Sequence, residues 1–405
     1  MLKQVPISEL VPGMYVNQVL KQAGRLKVRS KGLVNSQATI QQLKNKGIEL
    51  LEVDLAKSHL PNEVEKPTVK APRAHEETKS EPIAQPNRLT KLTTDDLSDA
   101  NDLYLQAVMI QGDFVSSLQS GIAANLDAVT DLSQNIIDSV FENPNAISCL
   151  TLIKNVDEYL LEHSISCSIL MGVFARHMEF DKSLIEELSL GAMLMDIGMA
   201  TIPKDVYDKP GKLSAQERQI MQGHVDAGVE LLEQCDDVTD IVCDIIQNHH
   251  ERLDGSGYPS AKQDSELSTY ARMAAIVDCY DAMISDRAHQ KSQTPTQVLR
   301  KLMADKTLDQ ALVQQFIKCI GVHPIGSLVK LKSEKLALVS SPGKTDPLSP
   351  VVMTFYSLRT NMHSEIKRID LAKSDDDIVA AVKPTEFKMN LPKFFREVFI
   401  HQMPE

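Results

Sequence analysis

Imidazole and carboxylate side chains recur between residues 163 and 278, in segments that have helical periodicity. These side chains are His163, Asp196, His224, His249, His250 and Asp278. Val242 and Ile245 precede His249 by seven and four residues, which places this histidine on the apolar face of its helix. Helical bundles form metal sites when facing helices each direct one such ligand inwards. The pattern therefore predicts a carboxylate–imidazole metal site inside a helical domain.

Each of these side chains also has a simpler explanation. A single histidine on an apolar face is more often a hydrogen-bonded core residue than a metal ligand. Asp196 is harder to explain in this way, because it stands in the apolar run LGAMLMDIGMA, where an unpaired buried carboxylate is costly. The metal-site interpretation is favoured because four histidines and two aspartates would otherwise be buried in one domain for unrelated reasons.

The elements that would position these residues are helices. Apolar residues recur at three- and four-residue steps, as in Leu103, Ala107, Ile110, Phe114, Leu118 and Ile122. Ser183 with Glu186, and Ser214 with Glu217, have the spacing of capping boxes, which mark the beginnings of helices. The pattern predicts an all-α domain over residues 99–321.

Three other segments differ from this domain in composition and pattern. Residues 1–57 combine strand-like runs with a short helical pattern that stops at Gly47, which predicts a small α+β domain. Residues 58–98 are rich in Pro, Lys, Glu and Thr and are predicted to be a flexible linker. Residues 322–405 contain short β-like runs between Gly and Pro turns, which predicts a β-rich C-terminal tail. The predicted fold class is therefore mainly α, with a small α+β domain before the helical domain and a short β-rich appendage after it.

The 405-residue chain carries a formal net charge of −12 and has a sequence pI near 5.4. This balance argues against binding to nucleic acid or to an anionic membrane surface. The six cysteines are scattered and form no Cys-x-x-Cys pair, and no apolar run approaches the ~20 residues that a membrane span needs. The N-terminus has no signal-peptide pattern. These features predict a cytoplasmic protein without a membrane span.

The segment HHERLDGSGYP, residues 249–259, resembles the signature of HD-GYP domains, the helical phosphodiesterases of bacterial cyclic di-GMP signalling. Other stretches agree with this family in the same order: YLLEHS, YDKPGKLSAQE, HVDAGVELL and ARMAAIVDCYDAMISDR. The resemblance covers about residues 150–300. The segments ISELVPGMYV and GVHPIGSLVKL also resemble regions that flank the domain in some members.

The resemblance implies a di-metal centre of iron or manganese. By position, its ligands would be His163, Asp196, His224, His249, His250 and Asp278. Asp196 would be the bridging carboxylate and the catalytic residue. Cyclic di-GMP, or a related cyclic dinucleotide, would bind at Gly257, Tyr258, Pro259 and Arg287. A protein partner in the same signalling pathway and a homodimer are further expectations.

Three positions depart from the family pattern, and all three concern the chemistry. The family's His-Asp pair is Met195-Asp196 here, and a thioether is a poor ligand for divalent iron or manganese. The family's lysine that contacts the substrate phosphate or the attacking water is replaced by Met199, and the second basic position after the last aspartate is Gln290. Met195 and Met199 are four residues apart and are expected to stack on one helix flank.

Three functions agree with this pattern. The first is a phosphodiesterase with weak turnover, the second is a non-catalytic cyclic dinucleotide receptor or protein-interaction regulator, and the third is a metal-free scaffold. Reduced or absent turnover is favoured, because groups that act as a unit are rarely dispensable. Some members recruit a third metal through a glutamate that is Tyr159 here, so the expectation is one or two ions, or none in the scaffold. The basic residues expected near an anionic ligand are Lys204, Lys209, Lys212, Arg252, Arg272 and Arg287, of which Arg287 is favoured.

Overall fold

The computed structural model describes residues 2–7, 10–11, 14–22, 32–33, 44, 48–54, 92–120, 126–153, 159–233, 235, 238–286, 291–343, 346–387 and 389–402. The chain divides into two compact units, Met1–Gln85 and Pro86–Glu405. Among the described residues, none of the helices combines the length and the apolarity that crossing a bilayer requires.

The first unit contains an antiparallel sheet with the strand order β1-β4-β2-β3. Its strands are β1 (Leu2–Pro6), β2 (Tyr15–Gln22), β3 (Gly32–Leu33) and β4 (Ile48–Asp54). Leu51 and Val53 alternate with more exposed neighbours and pack with Val5 and Val16, so one face of the sheet forms a small core. The strand expected after the turn at residues 12–13 and the strand expected after Gly47 are both present. The helix predicted between them lies almost entirely outside the described residues.

The second unit is mainly helical. Its helices before the C-terminal sheet are α1 (Thr94–Gln119), α2 (Leu126–Glu142), α3 (Pro144–Leu150), α4 (Tyr159–His177), α5 (Lys182–Leu194), α6 (Lys204–Tyr207), α7 (Ala215–Gln222), α8 (His224–Leu232), α9 (Asp240–Asn248), α10 (Thr269–Ile284), α11 (Pro295–Ala304) and α12 (Gln310–Ile320). This is the helical architecture that the periodicity predicted.

Local signals explain where several of these helices begin. At the start of α1 the Thr93 hydroxyl accepts a hydrogen bond from the Asp96 amide, and the Asp96 carboxylate accepts one from the Thr93 amide. This cap begins the helix at Thr94, inside the segment assigned to the linker, and the rest of that segment up to residue 91 lies outside the described residues. Ser214 and Glu217 form the predicted capping box of α7.

The predicted box of Ser183 with Glu186 is wrong. A cap at Ser183 would begin the helix at Leu184, but α5 begins two residues earlier, at Lys182, and its cap position is Asp181, which has an extended backbone conformation. Ser183 therefore already lies in the first turn of the helix.

Helix α4 is the central element of the core and is buried continuously from Glu162 to Gly172. A helix enclosed on all sides is expected to pack against several neighbours. Helices α5 and α10 both pack against α4, and α9 packs against α5 and α10. This arrangement brings together the helices that carry the predicted metal ligands.

The C-terminal strands form one antiparallel sheet in the order β8-β7-β6-β5-β9. They are β5 (Leu328–Leu331), β6 (Lys335–Ser341), β7 (Val351–Ser357), β8 (Met362–Asp370) and β9 (Ile378–Ala381). Leu338 and Phe355 face the main helical core, whereas Val339 and Val352 form a small core on the opposite face. The predicted β-rich tail is therefore one packed layer of the helical unit. It ends in helical turns that include α13 (Leu391–Phe394).

Candidate metal centre

The six predicted ligands lie together, and each comes from a well-defined element. His163 lies on α4, Asp196 follows α5, His224 begins α8, His249 and His250 follow α9, and Asp278 lies on α10. They form two groups that share Asp196, and the ligand atoms of each group lie within 4.8 Å of one another. The three-imidazole group is Asp196, His224, His249 and His250, and the one-imidazole group is His163, Asp196 and Asp278.

Asp196 connects the two groups through its two oxygen atoms. Its Oδ2 lies 3.1 Å from His163 Nε2, in the one-imidazole group. Its Oδ1 lies 3.2 Å from His224 Nε2 and 3.7 Å from His249 Nε2, in the three-imidazole group. A carboxylate whose two oxygens face different ligand sets has the geometry to bridge two cations.

Three of the histidines direct Nε2 towards the centre because Nδ1 is engaged elsewhere. Nδ1 of His224 lies 2.7 Å from the carbonyl oxygen of Met221, and Nδ1 of His249 lies 2.9 Å from that of Ile246. Nδ1 of His163 lies 2.6 Å from Asp281 Oδ2. Such second partners fix the tautomer and the ring orientation of a metal-binding histidine.

Asp281 is a residue of the site that sequence reasoning missed. Its side chain is fully buried beneath His163, on the side away from Asp196. The available signal was the spacing in DCYDAM, because Asp281 is three residues after Asp278 and therefore lies on the same face of α10. Nothing in that spacing, however, indicated its partner on α4.

Charges in the buried cluster shift the pKa values of its members. Burial by itself would raise the pKa of Asp196, but hydrogen bonds from His163, His224 and His249 hold it well below its ordinary value. Burial would lower the pKa of His163, but the adjoining Cys167, Tyr159 and acidic groups hold it well above its ordinary value. The carboxylate is therefore ionised and attracts positive charge into the centre.

His250 differs from the other histidines in its surroundings. Burial, together with the neighbouring His249, lowers its pKa well below the ordinary value, so its imidazole is neutral and able to donate a lone pair. Its ring stacks on Tyr258 at a centroid distance of 4.6 Å, and its Nδ1 lies 3.6 Å from Asp278 Oδ2.

A cavity of about 1060 Å³ opens over this centre. In the described part of the chain, its charged lining comprises the carboxylates of Asp196, Asp208, Asp278, Asp286 and Asp305 and one guanidinium, that of Arg252. Its apolar lining includes Val115, Leu160, Leu161, Leu213, Met221 and Met283. Acidic walls of this kind repel an anionic ligand unless cations are bound. The buried imidazoles and carboxylates thus fit divalent metal ions, both as donors and by charge.

The two methionines that depart from the family pattern do not share a helix flank, and that prediction is wrong. Helix α5 ends at Leu194, before either of them, and a 3₁₀ helix follows from Ile197 to Thr201. Met195 is 1% exposed and belongs to the hydrophobic core, whereas Met199 lines the cavity. Within this 3₁₀ helix, Gly198 packs on α8 so tightly that a Cβ atom there would lie 1.9 Å from the backbone oxygen of His224.

Of the predicted ligand-binding residues, Tyr258 lines the cavity. Gly257 does not line it, and a Cβ atom at this position would lie 2.4 Å from the Cα atom of Glu251, so the glycine is required by backbone packing. Pro259 is exposed and also lies outside the lining. The Glu251 carboxylate holds this loop by accepting hydrogen bonds from the amides of Ser260 and Lys262. The predicted residues Arg287 and Gln290 lie outside the described residues.

The other basic residues expected near the ligand have different roles. Lys209 donates to Glu217 at 2.6 Å, and Arg272 pairs with Asp264 and Asp309. Lys204 and Lys212 do not line the cavity. Arg252 does line it, and it donates a 3.2 Å hydrogen bond to the carbonyl oxygen of His249. The resemblance to the family had favoured Arg287, and not Arg252, as the basic residue that contacts an anionic ligand.

Two parts of the chain match known families. Residues 148–312 match the HD domain family, and residues 2–129 match a domain of unknown function, DUF3391. A structure of an HDG"Y"P protein from Bdellovibrio bacteriovorus superimposes with a TM-score of 0.48 at 14% identity, over 78% of this chain and 99% of that chain.

Two curated relatives are similar over different lengths. A 3′3′-cGAMP-specific phosphodiesterase of Vibrio cholerae is 31% identical over 183 residues, which is 45% of this chain and 34% of the relative. A cyclic di-GMP phosphodiesterase of Pseudomonas aeruginosa is 30% identical over 391 residues, which is 95% of this chain and 93% of the relative. Because that similarity runs through the N-terminal segment, the helical domain and the C-terminal strands alike, this chain belongs to the HD-GYP family of HD-domain proteins.

Proposed function

We propose that this chain binds a divalent metal and a cyclic dinucleotide at the centre around Asp196, and that it hydrolyses the dinucleotide slowly. The observation that carries this proposal is the unequal division of ligands around the shared carboxylate. One group retains three imidazoles, whereas the other has only one. The names of the relatives, which are phosphodiesterases of cyclic di-GMP and of 3′3′-cGAMP, support this class of substrate.

The three-imidazole group is the stronger candidate for a resident ion. His224, His249 and His250 would hold it together with Asp196 Oδ1, and this mixture of nitrogen and oxygen donors suits iron or manganese. When bound, such an ion supplies a Lewis acid that polarises a phosphoryl oxygen and lowers the pKa of water. Asp281 holds His163 in orientation for a second, weaker ion on the one-imidazole group.

The two methionines give the physical reason for slow turnover. Met195 stands where the family has an imidazole ligand, and its thioether, buried in the hydrophobic core, is a poor donor for iron or manganese. Met199 places an apolar side chain on the cavity wall where the family has a lysine for the phosphate or the water. Both changes weaken the stabilisation of negative charge that develops during phosphoryl transfer.

The cavity suits a dinucleotide in size and in the chemistry of its walls. Its volume of about 1060 Å³ is at the upper end of ligand-binding pockets. The apolar wall and the Tyr258 ring can contact a purine base, and the Arg252 guanidinium carries a positive charge at the same cavity. The phosphates would depend on bound cations, because the remaining charged walls are acidic.

The test is anaerobic purification with metal analysis, followed by hydrolysis of cyclic di-GMP with added Mn²⁺ or Fe²⁺. Asp196→Asn is the matched control, because it keeps the shape of the side chain and removes the charge. We expect metal-dependent turnover that the control abolishes. Metal and ligand binding without turnover would make the chain a cyclic dinucleotide receptor, and the absence of both would refute the proposal.

A further inference from the structure

Helix α1 is joined to the segment that carries Asp196 by two glutamine side chains. Nε2 of Gln111 donates to the carbonyl oxygen of Met193 at 3.4 Å, and Nε2 of Gln119 donates to that of Ala200 at 3.3 Å. Asp196 lies between these two acceptors. The glutamines are eight residues apart, which is about 12 Å along a helix axis, so they contact the segment at both ends.

Both acceptors are carbonyl groups that their own helices leave without a partner. Met193 lies in the last turn of α5, and the last four carbonyl groups of a helix receive no hydrogen bond from within that helix. Ala200 lies near the end of the 3₁₀ helix that follows Asp196. The amides of Gln111 and Gln119 therefore hold the two turns on either side of Asp196, where the helix changes type.

Gln111 is conspicuous because of its burial. It is 2% exposed, in a core that is otherwise apolar around α1, and among the described residues its Oε1 has no hydrogen-bond partner. A buried polar side chain is costly unless its hydrogen bonds are satisfied, so a methionine or leucine would suit packing alone better. The structural role of this side chain is the hydrogen bond that its amide donates to the carbonyl oxygen of Met193.

Helix α1 also reaches the second ligand-bearing element. A Cβ atom at Gly112 would lie 3.4 Å from the side chain of Leu161, which is two residues before His163 on α4. Gly112 and Val115 line the cavity on the same side of α1. Helix α1 thus contacts the segments that carry His163 and Asp196. These are two of the three members of the one-imidazole group, and the third, Asp278, lies on α10.

We infer that Gln111 and Gln119 are positioning residues that set the Asp196 carboxylate between the two metal groups. This inference rests on the proposed metal-binding function. The match to the HD domain begins at residue 148, so it does not include α1, which lies within the DUF3391 match of residues 2–129. The metal centre of this chain is therefore completed by a helix from outside the HD-domain match.

The test compares metal binding in variants of the full chain, singly and combined. Gln111→Met keeps the volume of the buried side chain and removes the donor, and Gln119→Glu keeps the shape and replaces the donor by an acceptor. Gln106→Glu is the matched control, because it makes the same change at an exposed position of the same helix. Equilibrium dialysis with Mn²⁺ measures the affinity, and amide hydrogen exchange measures the protection of residues 193–201.

We expect the Gln111→Met, Gln119→Glu double variant to bind Mn²⁺ about tenfold more weakly, which is the lower end of the effect of losing supporting contacts. Exchange at residues 193–201 should become faster, whereas Gln106→Glu should match the unmodified chain in both measurements. Gln119→Lys retains a donor and should recover most of the single-site loss. Unmodified affinity in the double variant, or an equal loss in the control, would overturn the inference. If the unmodified chain itself bound no Mn²⁺, the proposed function would fail instead.

Discussion

Substitution of the two methionines by the residues of the family is the most direct test of why turnover should be slow. In the Met195→His, Met199→Lys variant, the imidazole would add a donor to the one-imidazole group and the lysine would place a positive charge in the cavity. A charged hydrogen bond contributes about 1.5–3 kcal/mol, which corresponds to about a 10- to 100-fold effect on the rate. With the additional ligand, we expect kcat to rise about 10²- to 10³-fold, without strict additivity.

The burial of Met195 adds a prediction about stability. An imidazole at a position with 1% exposure lacks a partner in the metal-free protein, and an unsatisfied buried polar group costs about 1–3 kcal/mol. Met195→His should therefore lower the free energy of unfolding without metal, and Mn²⁺ should restore it, because the ion binds the folded state. Denaturant unfolding with EDTA and with Mn²⁺ measures the two values.

Met193→His provides the matched control, because Met193 is equally buried, lies two residues away in the last turn of α5, and is not a ligand position. This variant should lose stability to the same degree, and Mn²⁺ should not restore it. If Met195→His behaved as this control does, residue 195 would not face the metal centre. If the double variant bound the second ion but turned over no faster, the cause of slow turnover would lie elsewhere, and Gln290 would be the next position to change.

Three other substitutions test separate parts of the structure. Asp281→Asn should weaken Mn²⁺ binding about 10- to 100-fold in calorimetric titration, because the amide holds His163 less firmly, and an unchanged affinity would contradict this role. Gly198→Ala should destabilise the fold by at least about 1–3 kcal/mol in urea, because its Cβ atom would meet the backbone of α8, and a neutral effect would show that the turn can move. Hydrogen bonds from Lys209 and Ser214 lower the pKa of Glu217 to about 2, so its contribution to stability is present above the ordinary carboxyl pKa and is lost as the pH falls towards 2. The stability difference between the unmodified chain and Glu217→Gln should accordingly shrink over that range in acid unfolding, and a constant difference would argue against the ion pair.

The candidate ligands could be proposed from the sequence because several of them are marked by local periodicity and all six match the family pattern by position. His249 follows Val242 and Ile245 at helical spacing, and Asp196 interrupts an apolar run, so both could be placed on buried faces before any contact was known. The capping box of Ser214 is equally local, and it is found as predicted. The box of Ser183 failed because two cap positions compete within three residues, and Asp181 is the one that precedes the helix.

The sequence by itself therefore determined the fold class, which depends on residue type and spacing along each element, and its resemblance to a known family supplied the candidate ligands and the two methionine departures. Only the tertiary structure decided which side chains support them. Asp281 is 118 residues from His163, and Gln111 is 82 residues from Met193. The same is true of the different positions of Met195 and Met199, since α5 ends before both of them and Gly198, between them, packs closely on α8. Periodicity records which face of a helix is buried, but the partner on that face is set by packing between elements distant in the chain.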